Sequence, residues 1–130
     1  MFEKLGIFRM AQGLAEHAAT RQSVIARNVA NADTPGYRAR DLTSFSESYR
    51  TEKMGALAAT RPGHVLPGEQ VQESPAAKLA VRSGAMSPNG NSVSLETEMM
   101  MAAEVQQAHQ LALSVYQSSL NILRTSLGRR

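Results

Sequence analysis

A helix entering Thr34-Pro35-Gly36 has to stop there. Thr34 precedes a proline, so steric clash drives it out of the α region. Pro35 and Gly36 suit the two central positions of a type II turn, proline fixing φ at the first and glycine supplying positive φ at the second. Upstream, residues 26–32 still read as helix, but Asn28 and Asn31 are poor interior helix formers, and Asn tolerates the left-handed conformation that closes helices. Downstream the chain leaves as Tyr37-Arg38-Ala39-Arg40, an extended exit. The segment contains no nucleophile, metal cluster or phosphate loop.

Helical patterning lies on both sides of this break. Residues 7–32 read as an amphipathic helix with a seam of Met10, Leu14, Ala18, Ile25 and Val29, joined by Ile7. Arg21 interrupts that stripe, and Gly13 weakens the helix by about 1 kcal/mol relative to alanine. The C-terminal helix is the better specified. Ser94 is placed to cap it, and Glu96 and Glu98 lie in the first turn, where they read as solvated and dipole-compensating. Its seam reads as Ala102, Val105, His109, Ala112, Tyr116, Leu120, Leu123 and Leu127, in steps of three and four. Leu113, Leu120 and Leu127 form a second row, and Met99, Met100 and Met101 are consecutive and so cannot share one face. Gly128 suits the terminator, with Arg129 and Arg130 beyond it. About 34 helical residues reach roughly 50 Å.

The middle is different. Residues 51–91 hold four of the five prolines and five of the nine glycines, with turn signals at Arg61-Pro62-Gly63, Leu66-Pro67-Gly68 and Pro88-Asn89-Gly90. Val65-Leu66, Val71 and Leu79-Ala80-Val81 are candidates for brief strands, ordered loop or mobile chain. The expected fold is therefore mainly α. The N- and C-terminal helices pair as an antiparallel coiled coil around an irregular Pro/Gly-rich middle with room for short β. The organisation is 1–32 and 93–130 as one helical domain, 33–50 as turn and extended segment, and 51–92 as a loop-rich, partly flexible middle.

Composition explains why such helices need company. With no Trp, three Phe and three Tyr in 130 residues, the chain has little material for a compact aromatic core. Its seams are small, and a lone helix of this kind is marginal in water. Seven Met fit adaptable packing surfaces. The expectation is that both termini are labile alone and become a helical pair on assembly.

The same inventory excludes most chemistry. Cysteine is absent, which rules out disulfides, thiolate catalysis and Cys-based zinc sites. His17, His64 and His109 show no ligand spacing, so no metal is expected. Glu96 and Glu98 diverge on a helix, no Gly-x-Ser-x-Gly elbow accompanies the serines, and Pro88-Asn89-Gly90-Asn91 lacks the lysine of a phosphate loop. No catalytic residue and no cofactor are expected. The net charge of +3 comes from residues 1–40, with six basic and three acidic side chains, too sparse for a nucleic-acid stripe. Glu3, Lys4 and Arg9 break up any cleavable signal peptide. Residues 105–123 carry no charge but hold Gln106, Gln107, His109, Gln110, Gln117 and Asn121, too polar to face lipid.

The run Asn-Val-Ala-Asn-Ala-Asp-Thr-Pro-Gly-Tyr-Arg-Ala-Arg-Asp, residues 28–41, closely resembles the N-terminal signature of flagellar basal-body rod proteins, and looks most like the proximal-rod type. Thr60, Pro62 and His64 resemble the family's Thr-x-Pro-x-His element, and the C-terminal helix resembles its long terminal helix. The resemblance implies a structural subunit, with the terminal helices paired in the inner layer of a hollow axial assembly in the periplasm. It implies export through the flagellar type III apparatus without a cleaved signal. The implied partners are other copies, other rod subunits, the export gate and the adaptor to the membrane ring. Carried onto this chain, Asn28, Asn31, Asp33, Thr34, Pro35, Gly36 and Tyr37 form the signature turn, in which the Asn amides satisfy backbone groups or bond to a neighbour, Asp33 makes an Asx-type turn, and Arg38 and Arg40 pair with carboxylates of adjacent subunits. The alternatives are another rod subunit, an adaptor or chaperone built on the helical hairpin, or a basic hairpin on nucleic acid or anionic membrane, the last distinguished by steep salt dependence.

Overall fold

The structure, a computed structural model, describes residues 2–55 and 78–128. Two long helices dominate: α1, Phe2–Ala30, and α3, Leu95–Ser126. Between them lie strand β1, Arg40–Leu42, helix α2, Phe45–Gly55, and strand β2, Leu79–Val81. The helices are antiparallel. Phe8 near the start of α1 meets Tyr116 late in α3, edge to face at 5.3 Å, while Asn28 near the end of α1 meets Glu98 in the first turn of α3.

Helix ends follow local chemistry. Ser94 caps α3 in extended conformation, its hydroxyl accepting from the Thr97 amide. Gly128, at φ 78°, takes the left-handed position past the last turn. At the other break, Gly36 has φ 73° and the Tyr37 amide donates to the Thr34 carbonyl at 3.2 Å, the geometry of a type II turn.

The seam differs from the one expected. On α1 the buried or half-buried line is Ala11, Leu14, Ala18, Arg21, Ile25 and Asn28, alternating threes and fours. Met10, Val29 and Ile7 are exposed. Arg21 and Asn28 thus belong to the stripe that Arg21 was expected to interrupt. On α3 the facing line is Glu98, Met101, Val105, Ala108, Ala112, Val115 and Ser119, with Ala102, Leu120 and Leu123 half-buried beside it. His109, Tyr116 and Leu127 are exposed. The reason is size: a seam of alanines lets the helices approach closely, so Tyr116 is pushed to a flank, where its ring covers Phe8. Ala18, Ile25 and Val105 form the apolar heart, with Met101 and Ala102 against it.

β1 and β2 pair antiparallel with Arg40 opposite Val81, Asp41 opposite Ala80 and Leu42 opposite Leu79. The Leu79-Ala80-Val81 fragment is therefore a strand. Helix α2 takes the end of the segment read as extended. Ser44 begins it, accepting from the Glu47 amide, and Ser-x-x-Glu at residues 44–47 is a capping-box pattern. Phe45 then stacks on Tyr49 one turn later and edges His17 of α1, whose Nε2 donates to the Thr43 carbonyl at 2.8 Å.

Candidate functional site

The densest set of interactions lies where α1 ends and α3 begins. Asn28 organises it. In an isolated helix its amide would be a poor choice; here the side chain is 1% exposed and acts as a backbone mimic. Its Oδ1 accepts from the Arg40 amide at 3.1 Å, and its Nδ2 donates to the Arg40 carbonyl at 2.7 Å, so the amide pairs with residue 40 as a neighbouring strand would. The Tyr37 hydroxyl donates to the same Oδ1 at 3.3 Å, and Nδ2 also donates to Glu98 Oε2 at 3.1 Å.

Glu98 has no solvent exposure, which corrects its reading as a solvated first-turn carboxylate. The physical reason is a partner that patterning cannot reveal. Arg82, the residue after β2, places its guanidinium against Glu98 Oε1 and its other terminal nitrogen on Met101 Sδ. The Arg82 amide meanwhile donates to the Ala39 carbonyl at 2.9 Å, continuing the β1–β2 ladder. A buried carboxylate is tolerated only when paired and hydrogen-bonded, and Glu98 is both.

A second ion pair lies one to two turns along. Arg21 Nε and Nη2 donate to the two oxygens of Asp41 at 2.9 Å each, a bidentate fork whose side chains are 23% and 19% exposed. Glu104 stands 3.9 Å from the same guanidinium. Burial pushes the Asp41 carboxyl up, but the Arg21 hydrogen bond, the Leu42 amide and the Arg21 and Arg82 charges outweigh it and hold its pKa below the ordinary value. The Asp41 bond, opposed by burial, raises Arg21 further above its ordinary value.

The turn itself is held from the far side. Asn91 is 2% exposed, and its Nδ2 lies 3.0, 2.7 and 2.9 Å from the carbonyls of Asn31, Ala32 and Thr34. These carbonyls belong to the turn after α1; those of Asn31 and Thr34 also accept from the Thr34 and Tyr37 amides. Its Oδ1 accepts from the Val93 amide, and the Gly36 amide donates to the Asn89 carbonyl. Gly90, at φ 79°, brings the two turns so close that a side chain there would meet Gly36 Cα at 3.4 Å. The Ser92 amide donates to the Tyr37 carbonyl and its hydroxyl accepts from the Ala39 amide.

The expected signature residues are therefore divided between two roles. Asn28 and Tyr37 enter the buried hub. Asn31 donates to the Arg27 carbonyl and accepts from the Thr34 hydroxyl at the turn. Asp33, Pro35, Arg38 and the Arg40 side chain are exposed. Thr60, Pro62 and His64 lie outside the described residues. Patterning missed Asn91, Ser92, Arg82, Asp41 and the burial of Glu98. The only signals available were the asparagine-rich Pro-Asn-Gly-Asn run and the charges on otherwise apolar lines.

Fold and site define a helical scaffold protein: a long antiparallel pair locked at one end by a polar junction, with no buried side-chain nitrogen or oxygen left unpaired among the described residues. The family model described as Flagella basal body rod protein matches residues 8–38, which span most of α1 and the whole turn. The flagellar basal body rod protein FlgB of Salmonella typhimurium is 36% identical over 119 residues, covering 86% of each chain. That of Escherichia coli is 35% identical, covering 88% of each, and that of Agrobacterium fabrum 32%, covering 89% of this chain and 88% of the relative. The chain belongs to the flagellar basal body rod proteins, in the FlgB family. It is a structural family rather than an enzyme family.

Proposed function

We propose that this chain is a subunit of the proximal rod, polymerising through its terminal helices into a hollow axial assembly that joins the membrane ring and export gate to the distal rod. Its partners are other copies, other rod subunits, the ring adaptor and the type III export gate. It is made in the cytoplasm, exported without a cleaved signal peptide, and works in the periplasm. The exposed apolar flanks of α3, the signature turn with Arg38 and Arg40, and the Thr60, Pro62 and His64 element are its assembly contacts.

One observation carries this reading. Residues 105–123 of α3 have no charged side chain, yet Leu111, Leu113, Tyr116 and Ile122 stand 57%, 46%, 43% and 56% exposed. No helix among the described residues is long and apolar enough to cross a membrane. These side chains flank the seam on both sides, Leu111 and Ile122 on one and Tyr116 and Leu113 on the other, and uncharged, exposed apolar surface of this extent is suited to burial against other protein. Arg38 and Arg40, exposed beside the hub, suit the acidic side chains of a neighbour.

The chain lacks cysteine, so Leu113→Cys and Ile122→Cys introduce unique thiols. Each is expected to be shielded from a soluble maleimide in isolated basal bodies and freely labelled in the monomer. Thiols that remain freely reactive to a soluble maleimide in the assembled state contradict the reading.

A further inference from the structure

We propose that the buried layer of Asn28, Glu98 and Arg82 selects the register of the α1–α3 pair. The alanine part of the seam carries little register information. Ala11 and Ala18 on α1 face a line of Val105, Ala108 and Ala112 on α3, so a slide of one heptad sets small residues against small residues again.

The polar layer does not survive a slide in either direction. Moving by seven residues, about 10 Å along the axis, carries Glu98 past the end of α1 in one sense. In the other sense it carries Glu98 to Arg21, whose guanidinium is already forked onto Asp41, and carries Asn28 beyond the start of α3. Each leaves buried polar groups without partners, among them the Arg40 amide and carbonyl that Asn28 serves. Arg82 follows β2 directly, so the layer also fixes where the returning strand docks on α3. The Asn91 clamp differs in kind: it bonds carbonyls of the turn and ties loop to loop, not helix to helix. Specifying register is the best-attested use of buried polar groups in paired helices.

The inference concerns the folded chain and holds whatever the subunit's place in the rod. Three cysteine pairs in the otherwise cysteine-free chain read the register. Ala18→Cys with Val105→Cys reports the native alignment; Ala18→Cys with Ala112→Cys, and Ala11→Cys with Val105→Cys, report slides in the two senses. With the layer intact, the native pair is expected to form its intramolecular disulfide at least tenfold faster than either slipped pair. The variant Asn28→Leu, Glu98→Leu, Arg82→Met is expected to stay helical with a lowered melting midpoint, because the Arg40 amide and carbonyl lose Asn28, while the slipped pairs close within about threefold of the native one. Asn91→Ala is expected to lower the midpoint yet keep the native preference. Three results overturn the proposal: a triple variant that keeps the tenfold preference, a triple variant that loses its helicity, and an Asn91→Ala chain that loses the preference.

Discussion

Asn28→Asp is the smallest change that tests the hub, because it preserves shape and alters two donors and one charge. The aspartate still accepts from the Arg40 amide and the Tyr37 hydroxyl. It no longer donates to the Arg40 carbonyl, now 2.7 Å away, or to Glu98, 3.1 Å away. A buried acceptor stripped of its donor costs about 1–3 kcal/mol, and more when it is charged. A second carboxylate beside a fully buried one adds like-charge repulsion. Together these amount to about 3–6 kcal/mol, a large share of the roughly 5–15 kcal/mol that stabilises a domain. For a chain of this size that is a drop of about 10–25 °C in melting temperature. Thermal unfolding followed by far-UV circular dichroism at pH 7.5 measures it. A loss below about 1 kcal/mol refutes the reasoning, because it means water reaches the hub.

Other consequences follow from the same geometry. Asn91→Ala removes a shared donor from the turn carbonyls of Asn31, Ala32 and Thr34, the first and last of which keep an amide donor, and is expected to cost about 1–3 kcal/mol by denaturant unfolding. Gly36→Ala meets no atom within 4 Å, so its cost is backbone strain alone, about 1–2 kcal/mol in the same assay. Arg21→Met removes the fork to Asp41, with an expected loss of about 1–3 kcal/mol at pH 7. Because the folded Asp41 pKa is lowered, that contribution is present above the unfolded carboxylate value of about 4 and disappears as pH falls through the lowered one. Melting curves of parent and variant should therefore converge in acid.

What was legible in the chain was local. Ser94, Thr34-Pro35-Gly36 and Gly128 act on backbone groups within a few residues, so the helix ends could be read from adjacent letters. The existence of a helix pair was legible too, because small apolar residues recur in threes and fours at both ends. The register was not. Arg21, Asn28 and Glu98 occupy seam positions only because Asp41, the Arg40 backbone and Arg82 meet them, and Arg82 lies on the far side of the proline-rich middle. Without those partners a charged residue on an apolar line reads as an interruption, and a first-turn glutamate reads as a dipole partner. Asn91 was hidden for the same reason, its acceptors being 57–60 residues away. Helix α2 is a different case: the Ser44 and Glu47 pair announced it locally, but so short a helix leaves a weak periodic signal.

Imaging the basal body at side-chain resolution shows whether the helix pair is a wall element completed by its neighbours. The expected image has α1 and α3 paired antiparallel within each subunit, Asn28 and Glu98 bonded inside the pair, and Leu111, Leu113 and Ile122 covered by adjacent subunits. An assembled rod in which those three side chains face solvent, or in which α1 and α3 of one chain are separated, contradicts it.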